Sequence, residues 1–193
     1  MQRAGALEYE TSGTGEAVLC IHGAIVADSF APLMREPALA HYRLIRYRRR
    51  GYGQSAPPTG KPTIQEQADD AGALLTHLGV NEAHVVAHSG GGPIAVQLAL
   101  DTPMTVRSLV LLEPALQSAA IAAAFAEMIQ PLIDMHLAGD RAKAVHLWMR
   151  TSGGSEWRSA IEARIPDAGE RASDRRRGRH FRVRPGGDAR LGL

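Results

Sequence analysis

Hydrophobic and polar positions along the first part of the chain switch between the period of a strand and the period of a helix. Short apolar runs predict strands at ALEYE, EAVLCIHG, YRLIRY, AHVVAHS and VRSLVLLEP. Apolar residues at three-to-four spacing predict helices at SFAPLMREPAL, TIQEQADDAGALLTHLGV and GGPIAVQLALDTP. Because strands alternate with helices, we expect an α/β fold with a mostly parallel sheet flanked by helices.

The pattern changes after residue 114. From Ala115 to about Arg164 the spacing of apolar residues predicts helices only, and this block is too long for a simple connection. We therefore predict a core over residues 1–114, an inserted helical cap over 115–165 and an irregular basic tail over 166–193.

Charge is concentrated in the predicted tail. The net charge of the chain is +2, yet residues 167–193 hold eight Arg against three Asp and one Glu. A basic tail can bind nucleic acid, but this one has a single aromatic residue and no apolar periodicity. We expect it to be disordered and solvated, without a nucleic-acid partner.

The first residues of the chain and its single cysteine give evidence on the cellular compartment of the protein. The opening MQRAGALEYE has no apolar segment of the kind that a secretion signal carries, and no apolar run approaches the 18 or so residues of a membrane span. Cys20 lies in a predicted buried strand, where a thiol behaves as a small apolar side chain. We expect a cytoplasmic protein without membrane contact.

The candidate chemistry is in AHSGG, at the junction of a predicted strand and a predicted helix. A serine flanked two positions away by small residues, here Ala87 and Gly91, is typical of a sharp turn that exposes the hydroxyl of Ser89. The helix that follows directs the N–H of Gly90 at the same place, where it favours a developing oxyanion. A second oxyanion donor is expected from the loop after VLCIHG, at Ala24.

Four segments, in order, resemble the α/β-hydrolase superfamily: VLCIHGA, RRRGYGQSAPP, VVAHSGGGPIAVQLAL and VRSLVLLEP. The resemblance covers about residues 5–114, and the helical block looks like that family's cap. It implies a serine hydrolase that acts on an ester-like small molecule, with Ser89 as nucleophile and Ala24 and Gly90 as oxyanion donors. It implies no cofactor and no metal, and the sequence contains neither H-E-x-x-H nor paired cysteines.

The rest of the catalytic set is open. The family places its acid and its histidine on two further strands past the cap, and nothing after Ile165 has that pattern. Glu113, at the end of VRSLVLLEP, is either the acid or an ordinary strand-end carboxylate. For the base, His180 is late enough in the chain but lacks a preceding strand, and His22 is in a loop where a histidine more often holds loops together. We predict that no histidine is properly placed to activate Ser89.

Three functional interpretations therefore stay open: a hydrolase that borrows a histidine from the cap, the tail or a partner chain; a non-catalytic protein that keeps the pocket to bind a small molecule; and a truncated or frameshifted gene product. We also expect VRSLVLLEP to present an unpaired apolar sheet edge that favours self-association. The sequence does not identify the substrate.

Overall fold

The computed structural model describes residues 1–116 and 119–165, and the chain divides into two compact units, residues 1–115 and 116–193. The strands of the described part are β1 (Gln2–Ala4), β2 (Leu7–Ser12), β3 (Glu16–Ile21), β4 (Tyr42–Arg48), β5 (Ala83–His88) and β6 (Val106–Leu112). Its helices are α1 (Ile64–His77), α2 (Gly91–Asp101), α3 (Ala119–Leu137), α4 (Arg141–Gly153) and α5 (Trp157–Glu162).

The first unit is built on one sheet with the strand order β1-β2-β4-β3-β5-β6. The strands β4, β3, β5 and β6 are parallel, whereas β1 and β2 pair antiparallel at one side. The fold class predicted from the sequence, a mostly parallel α/β sheet flanked by helices, is confirmed. Register pairs Ile21 with Ala87 and His88 with Leu112, so β3, β5 and β6 end at the same edge of the sheet.

Each face of the sheet has its own apolar core. Alternate residues of β3 explain this, because Leu19 and Ile21 lie in one cluster while Val18 and Cys20 lie in the other. The larger cluster includes the buried face of α1 and residues of α2. α1 begins with a capping box in which the Thr63 hydroxyl accepts from the Glu66 N–H.

The helix predicted for residues 29–39 is wrong. The segment contains two short 3₁₀ helices instead, Leu33–Arg35 and Pro37–Leu39, separated by Glu36 in an extended conformation. The reason is Pro37, which has no N–H and disfavours the helical conformation of the residue before it. The strand β1 has no counterpart in the prediction.

β6 is the outermost strand on its side of the described sheet and pairs only with β5 there. Val110 is 46% exposed and Leu112 is 43% exposed. The predicted apolar strand edge is therefore present in residues 1–115.

The second unit consists, in its described part, of α3, α4 and α5. Phe125 of α3 meets Trp148 of α4 edge-on with ring centroids 5.8 Å apart, and Trp157 of α5 is buried. Its assignment as a cap stays a prediction, and the predicted basic tail lies outside the described residues.

None of the helices in the described part of the chain is both long and apolar enough to cross a membrane.

Candidate active site

Ser89 lies in the tight turn between β5 and α2, as the sequence predicts. Its φ is 50°, and among the described non-glycine residues only Glu113, with φ 45°, shares this left-handed conformation. Holding such a residue there costs about 1–3 kcal/mol, and this kind of strain is concentrated at functional sites. The turn carries the side chain of Ser89 out of both the strand and the helix.

The segment after β6 holds the backbone of Ser89 on both sides. The N–H of Ser89 donates to the carbonyl oxygen of Leu112 at 3.0 Å, and the carbonyl oxygen of Ser89 accepts from the N–H of Ala115 at 3.0 Å. The N–H of Gly92 donates to the same carbonyl oxygen at 2.9 Å. The unfavourable backbone conformation of Ser89 is therefore held in place by hydrogen bonds to the residues around it.

Small residues around the turn allow backbone segments to approach closely. A methyl group built on Gly91 would come closer than 3.0 Å to the carbonyl oxygen of Ile21, and one built on Gly92 would lie 2.5 Å from Cβ of Pro114. Ala87, the other small residue of the motif, is fully buried. These contacts explain why small residues are needed on either side of Ser89.

The loop after β3 lies beside Ser89. A methyl group on Gly23 would lie 3.2 Å from Cβ of Ser89, and one on Gly90 would lie 3.9 Å from the backbone nitrogen of Ala24. No acceptor among the described residues bonds the N–H of Ala24 or of Gly90. Both predicted donors are thus next to Ser89 and free, within the described part of the chain, to bind a ligand oxygen.

His22 is a buried member of the same loop, with both ring nitrogens engaged. Its Nδ1 donates to the carbonyl oxygen of Gly23 at 2.7 Å, and its Nε2 accepts from the backbone N–H of Arg49 at 3.1 Å. Burial, with a further contribution from the charge of Arg49, holds the pKa of His22 well below its ordinary value. Neither nitrogen is available to take a proton from Ser89.

Two further residues hold this loop that the sequence did not single out. An Nη of Arg49 donates to the Gly23 carbonyl at 2.8 Å, and the hydroxyl of Tyr52 donates to the Ala24 carbonyl at 2.6 Å. Both belong to the segment RRRGYGQS that carried part of the family resemblance. The only signal for them in the sequence was that segment, which does not say what the side chains contact.

The far end of the loop is fixed by an ion-pair network centred on Asp28. Arg46 bonds one carboxylate oxygen of Asp28 at 2.6 Å, and Arg48 bonds both oxygens at about 3.0 Å. Burial opposes ionisation of Asp28, but the hydrogen bonds and charges of these arginines hold its pKa below the ordinary value. The loop that bears Ala24 is therefore anchored at both ends.

Glu113 follows β6 directly, on the segment that holds the turn. It is exposed and, like Ser89, adopts a positive φ. β5 and β6 are neighbours in the sheet, so Glu113 lies beside Ser89 in strand order. This is the place where an acid could orient a base, but the role of Glu113 stays a prediction.

The remaining histidines do not supply an evident base. His88 is directed at the loop, with Nδ1 3.0 Å from the position of a methyl group on Gly23, and no hydrogen bond to Ser89 is found within residues 1–115. His136 and His146 belong to the second unit, and His180 lies outside the described residues. The base is thus unassigned. Over residues 1–116 and 119–165, no cluster of three or more side chains suited to a metal is found.

Curated proteins match about half of the chain. It is 36% identical over 105 residues to RutD of Azorhizobium caulinodans, which carries the name of a carbamate hydrolase; the match covers 54% of this chain and 40% of that protein. It is 36% identical over 106 residues to the non-heme chloroperoxidase CPO-A1 of Kitasatospora aureofaciens, covering 54% of this chain and 38% of that protein. The chain spans about 40% of the length of these relatives.

A solved structure of a hydrolase from Pseudomonas aeruginosa PA01 has the same fold, with a TM-score of 0.63 and 24% identity over 86% of this chain and 67% of that one. The sequence pattern of the alpha/beta hydrolase fold matches residues 16–161, which is most of the chain. The chain belongs to the α/β-hydrolase fold family.

Proposed function

We propose that the chain carries the nucleophile and the oxyanion site of a serine hydrolase that acts on an ester-like bond of a small molecule. The observation that carries the proposal is the strained Ser89, with φ 50°, beside two N–H groups that have no acceptor in the described part of the chain. A strained nucleophile next to unpaired donors is the arrangement that acyl transfer requires.

In this proposal the hydroxyl of Ser89 attacks the carbonyl carbon of the substrate, and the carbonyl oxygen becomes an oxyanion. The N–H groups of Ala24 and Gly90 donate to that oxygen, and the amino-terminal end of α2 adds its positive potential. The bond between the carbonyl carbon and the alkoxy oxygen breaks, and the alcohol leaves with the proton that Ser89 gives up. Water then adds to the acyl-Ser89 ester, the bond to the Ser89 oxygen breaks, and the acid is released as the Ser89 hydroxyl regains a proton. Glu113 is the candidate to orient a histidine base, which the described residues do not identify.

The proposal predicts a low rate of hydrolysis for the chain by itself. Loss of the histidine of a serine triad costs on the order of a millionfold in turnover, while an oxyanion hole and binding alone retain roughly a thousandfold over water. Because both nitrogens of His22 are engaged, we expect slow, Ser89-dependent hydrolysis of activated esters and little specific turnover. The similar proteins are named for different reactions, so the substrate is proposed only as an ester-like small molecule.

The test is kcat/KM for p-nitrophenyl acetate, measured on the wild type and on Ser89→Ala. Ser108→Ala is the matched control, since it removes an exposed hydroxyl from β6. We expect the wild type and Ser108→Ala to hydrolyse the ester equally and Ser89→Ala to fall to background. Equal rates for wild type and Ser89→Ala would show that Ser89 is not the nucleophile.

The base is tested in the same assay by four single changes to alanine, at His22, His136, His146 and His180. We expect none of them to abolish activity as completely as Ser89→Ala. If the wild type turns over briskly and the change at His136, His146 or His180 removes the activity, then the base is present and the expectation of a poor enzyme is wrong. A loss of activity in His22→Ala alone would reflect the loss of the hydrogen bonds by which His22 holds the loop.

A second candidate function is a non-catalytic protein that binds a small molecule in the same place. It is favoured by one observation: no histidine of residues 1–115 hydrogen-bonds to Ser89. A binding protein would keep its affinity for a carboxylate or ester ligand in Ser89→Ala and would show no acyl-Ser89 adduct by mass spectrometry. Formation of that adduct with p-nitrophenyl acetate would instead support the hydrolase.

A further inference from the structure

Arg49 is a buried cation without an acidic partner in the described part of the chain. It is 7% exposed, and no carboxylate of residues 1–116 or 119–165 lies within ion-pair distance of it. Its two Nη atoms donate to Gln67 at 2.5 Å and to the Gly23 carbonyl at 2.8 Å, while Nε has no partner there. Burying an unpaired charge is costly, so such a residue needs a reason beyond stability.

The neighbouring arginines show the contrast. Arg48 forms ion pairs with Glu8 and Asp28, and Arg50 forms a two-bond ion pair with Asp70 at 2.7 Å. Arg49 alone of these three directs its charge at a backbone carbonyl of the loop beside Ser89. The guanidinium of Arg49 therefore bonds the backbone of the loop, and no carboxylate of the described residues neutralises its charge.

The bond from Arg49 fixes the direction of the Ala24 N–H. The carbonyl of Gly23 accepts from Arg49 and from His22, so the peptide group between Gly23 and Ala24 cannot rotate freely. This peptide is trans and planar, so the N–H of Ala24 points away from Arg49. That nitrogen is the one that lies next to Gly90.

The next peptide group is held as well. Tyr52 donates to the carbonyl of Ala24 at 2.6 Å, its ring packs edge-on against His22 at 4.7 Å, and the guanidinium of Arg49 lies 5.2 Å from the centre of that ring. His22, Arg49 and Tyr52 together form what we call the loop clamp. The clamp holds both carbonyls that flank the Ala24 N–H.

We infer that Arg49 is a positioning residue of the oxyanion site, which aims and polarises the N–H of Ala24 through the Gly23 carbonyl. A charged donor on the carbonyl makes the N–H of the same peptide group a stronger donor, because linked hydrogen bonds polarise one another. The inference rests on the proposed function, since Arg49 acts on a substrate oxyanion only if Ser89 generates one. Arg49 contacts no substrate in this scheme.

The first test is kinetic and compares Arg49→Met with the matched control Arg50→Met, using the hydrolysis of p-nitrophenyl acetate that depends on Ser89. Removal of a complete oxyanion donor costs about a hundredfold to a thousandfold in kcat, so misdirecting one should lower kcat by about tenfold to a hundredfold. KM should stay within about twofold, because the bond to the oxygen strengthens only in the transition state. Arg50→Met should retain the wild-type kcat.

The second test is spectroscopic and does not depend on catalysis. In protein labelled with ¹⁵N, the amide nitrogen of Ala24 should shift upfield in Arg49→Met, because its peptide carbonyl loses a charged donor. The same resonance should be unchanged in Arg50→Met. If Arg49→Met does not fold, Arg49→Lys replaces it, since an ammonium group cannot reproduce the planar fork that reaches Gly23 and Gln67 together; the same changes in kcat and ¹⁵N shift are expected.

The outcomes separate this inference from the proposed function. Equal hydrolysis by wild type and Ser89→Ala would overturn both. Hydrolysis that depends on Ser89, but with wild-type kcat or an unmoved Ala24 resonance in the Arg49 variant, would overturn the role of Arg49 alone. A drop in both kcat and KM by the same factor would also contradict it, because that pattern marks a ground-state effect.

Discussion

Alanine substitutions along the glycine triplet at residues 90–92 should affect stability very differently, although the residues are adjacent. A methyl group on Gly91 would collide with backbone, closer than 3.0 Å to the carbonyl oxygen of Ile21 and 3.0 Å from that of His22. On Gly92 it would meet Pro114, with Cβ at 2.5 Å and Cα at 3.0 Å. On Gly90 its nearest neighbour is the nitrogen of Ala24 at 3.9 Å, which is an ordinary contact.

The size of each effect follows from what has to move. Forcing an extra methyl group into a packed interior costs typically about 1–3 kcal/mol, occasionally more. Gly91→Ala should lie at or above the top of that range, at about 3 kcal/mol, because it pushes against the central strand β3. Gly92→Ala should cost about 1–2 kcal/mol, because the loop around Pro114 can shift. Gly90→Ala should change stability by no more than about 0.5 kcal/mol, since its φ of −61° suits alanine.

The measurement is the free energy of unfolding from urea titrations followed by far-ultraviolet circular dichroism. Tryptophan fluorescence does not serve here, because both tryptophans lie in residues 116–193. The expected order of stability is Gly90→Ala, then Gly92→Ala, then Gly91→Ala. If Gly91→Ala unfolds at the same urea concentration as Gly90→Ala, then α2 does not approach the end of β3 as closely as the structure places it, and the explanation of the small residues around Ser89 fails.

Two further predictions concern His22 and the edge of the sheet. The pKa of His22 is depressed in the folded state, so its contribution to stability is fully present above an unfolded pKa of about 6.5 and is lost as pH falls below that value, at about 1.4 kcal/mol per pH unit. Urea titrations between pH 7 and pH 5 should show stability falling more steeply with decreasing pH in the wild type than in His22→Asn; parallel slopes would contradict the buried neutral state. The unpaired edge of β6, together with the exposed side chains of Val110 and Leu112 on one of its faces, should promote self-association, which light scattering should detect in the wild type and find reduced in Val110→Lys. If the wild type and Val110→Lys are both monomeric at the same concentration, the prediction of self-association is wrong.

The turn around Ser89 was predictable because its determinants are local. The small residues Ala87 and Gly91, a strand before them and a helix after them are all within one short stretch of sequence, and the structure has the predicted turn there. The parallel sheet was predictable for a similar reason, since each strand has its own apolar pattern. The segment at residues 33–39 differs from the single helix that its apolar spacing predicts, because Pro37 disfavours the helical conformation of Glu36.

The loop clamp was not predictable because its contacts join distant parts of the chain. Arg49 reaches a carbonyl 26 positions earlier, and nothing in the sequence distinguishes it from Arg48 and Arg50 on either side. Only the folded chain shows that its neighbours have carboxylate partners and that it has none among the described residues. The ion pair of Arg50 makes the same point, because its partner Asp70 lies 20 positions later in the chain.

The parts of the site that the first unit supplies are mostly backbone groups, and this has a consequence for reactivity. The N–H groups of Ala24 and Gly90 and the strained conformation of Ser89 are set by strand ends, close glycine contacts and the loop clamp, none of which needs a base. A base must be a side chain within hydrogen-bond reach of Ser89, and within residues 1–115 the histidine of this loop is already committed at both nitrogens. Under the proposed function, stabilisation of an oxyanion and transfer of a proton are therefore separable in this chain. An ester with a good leaving group needs mainly the stabilisation of the oxyanion, so it should react with Ser89. An alkyl ester also needs a base to transfer the proton, so it should not react.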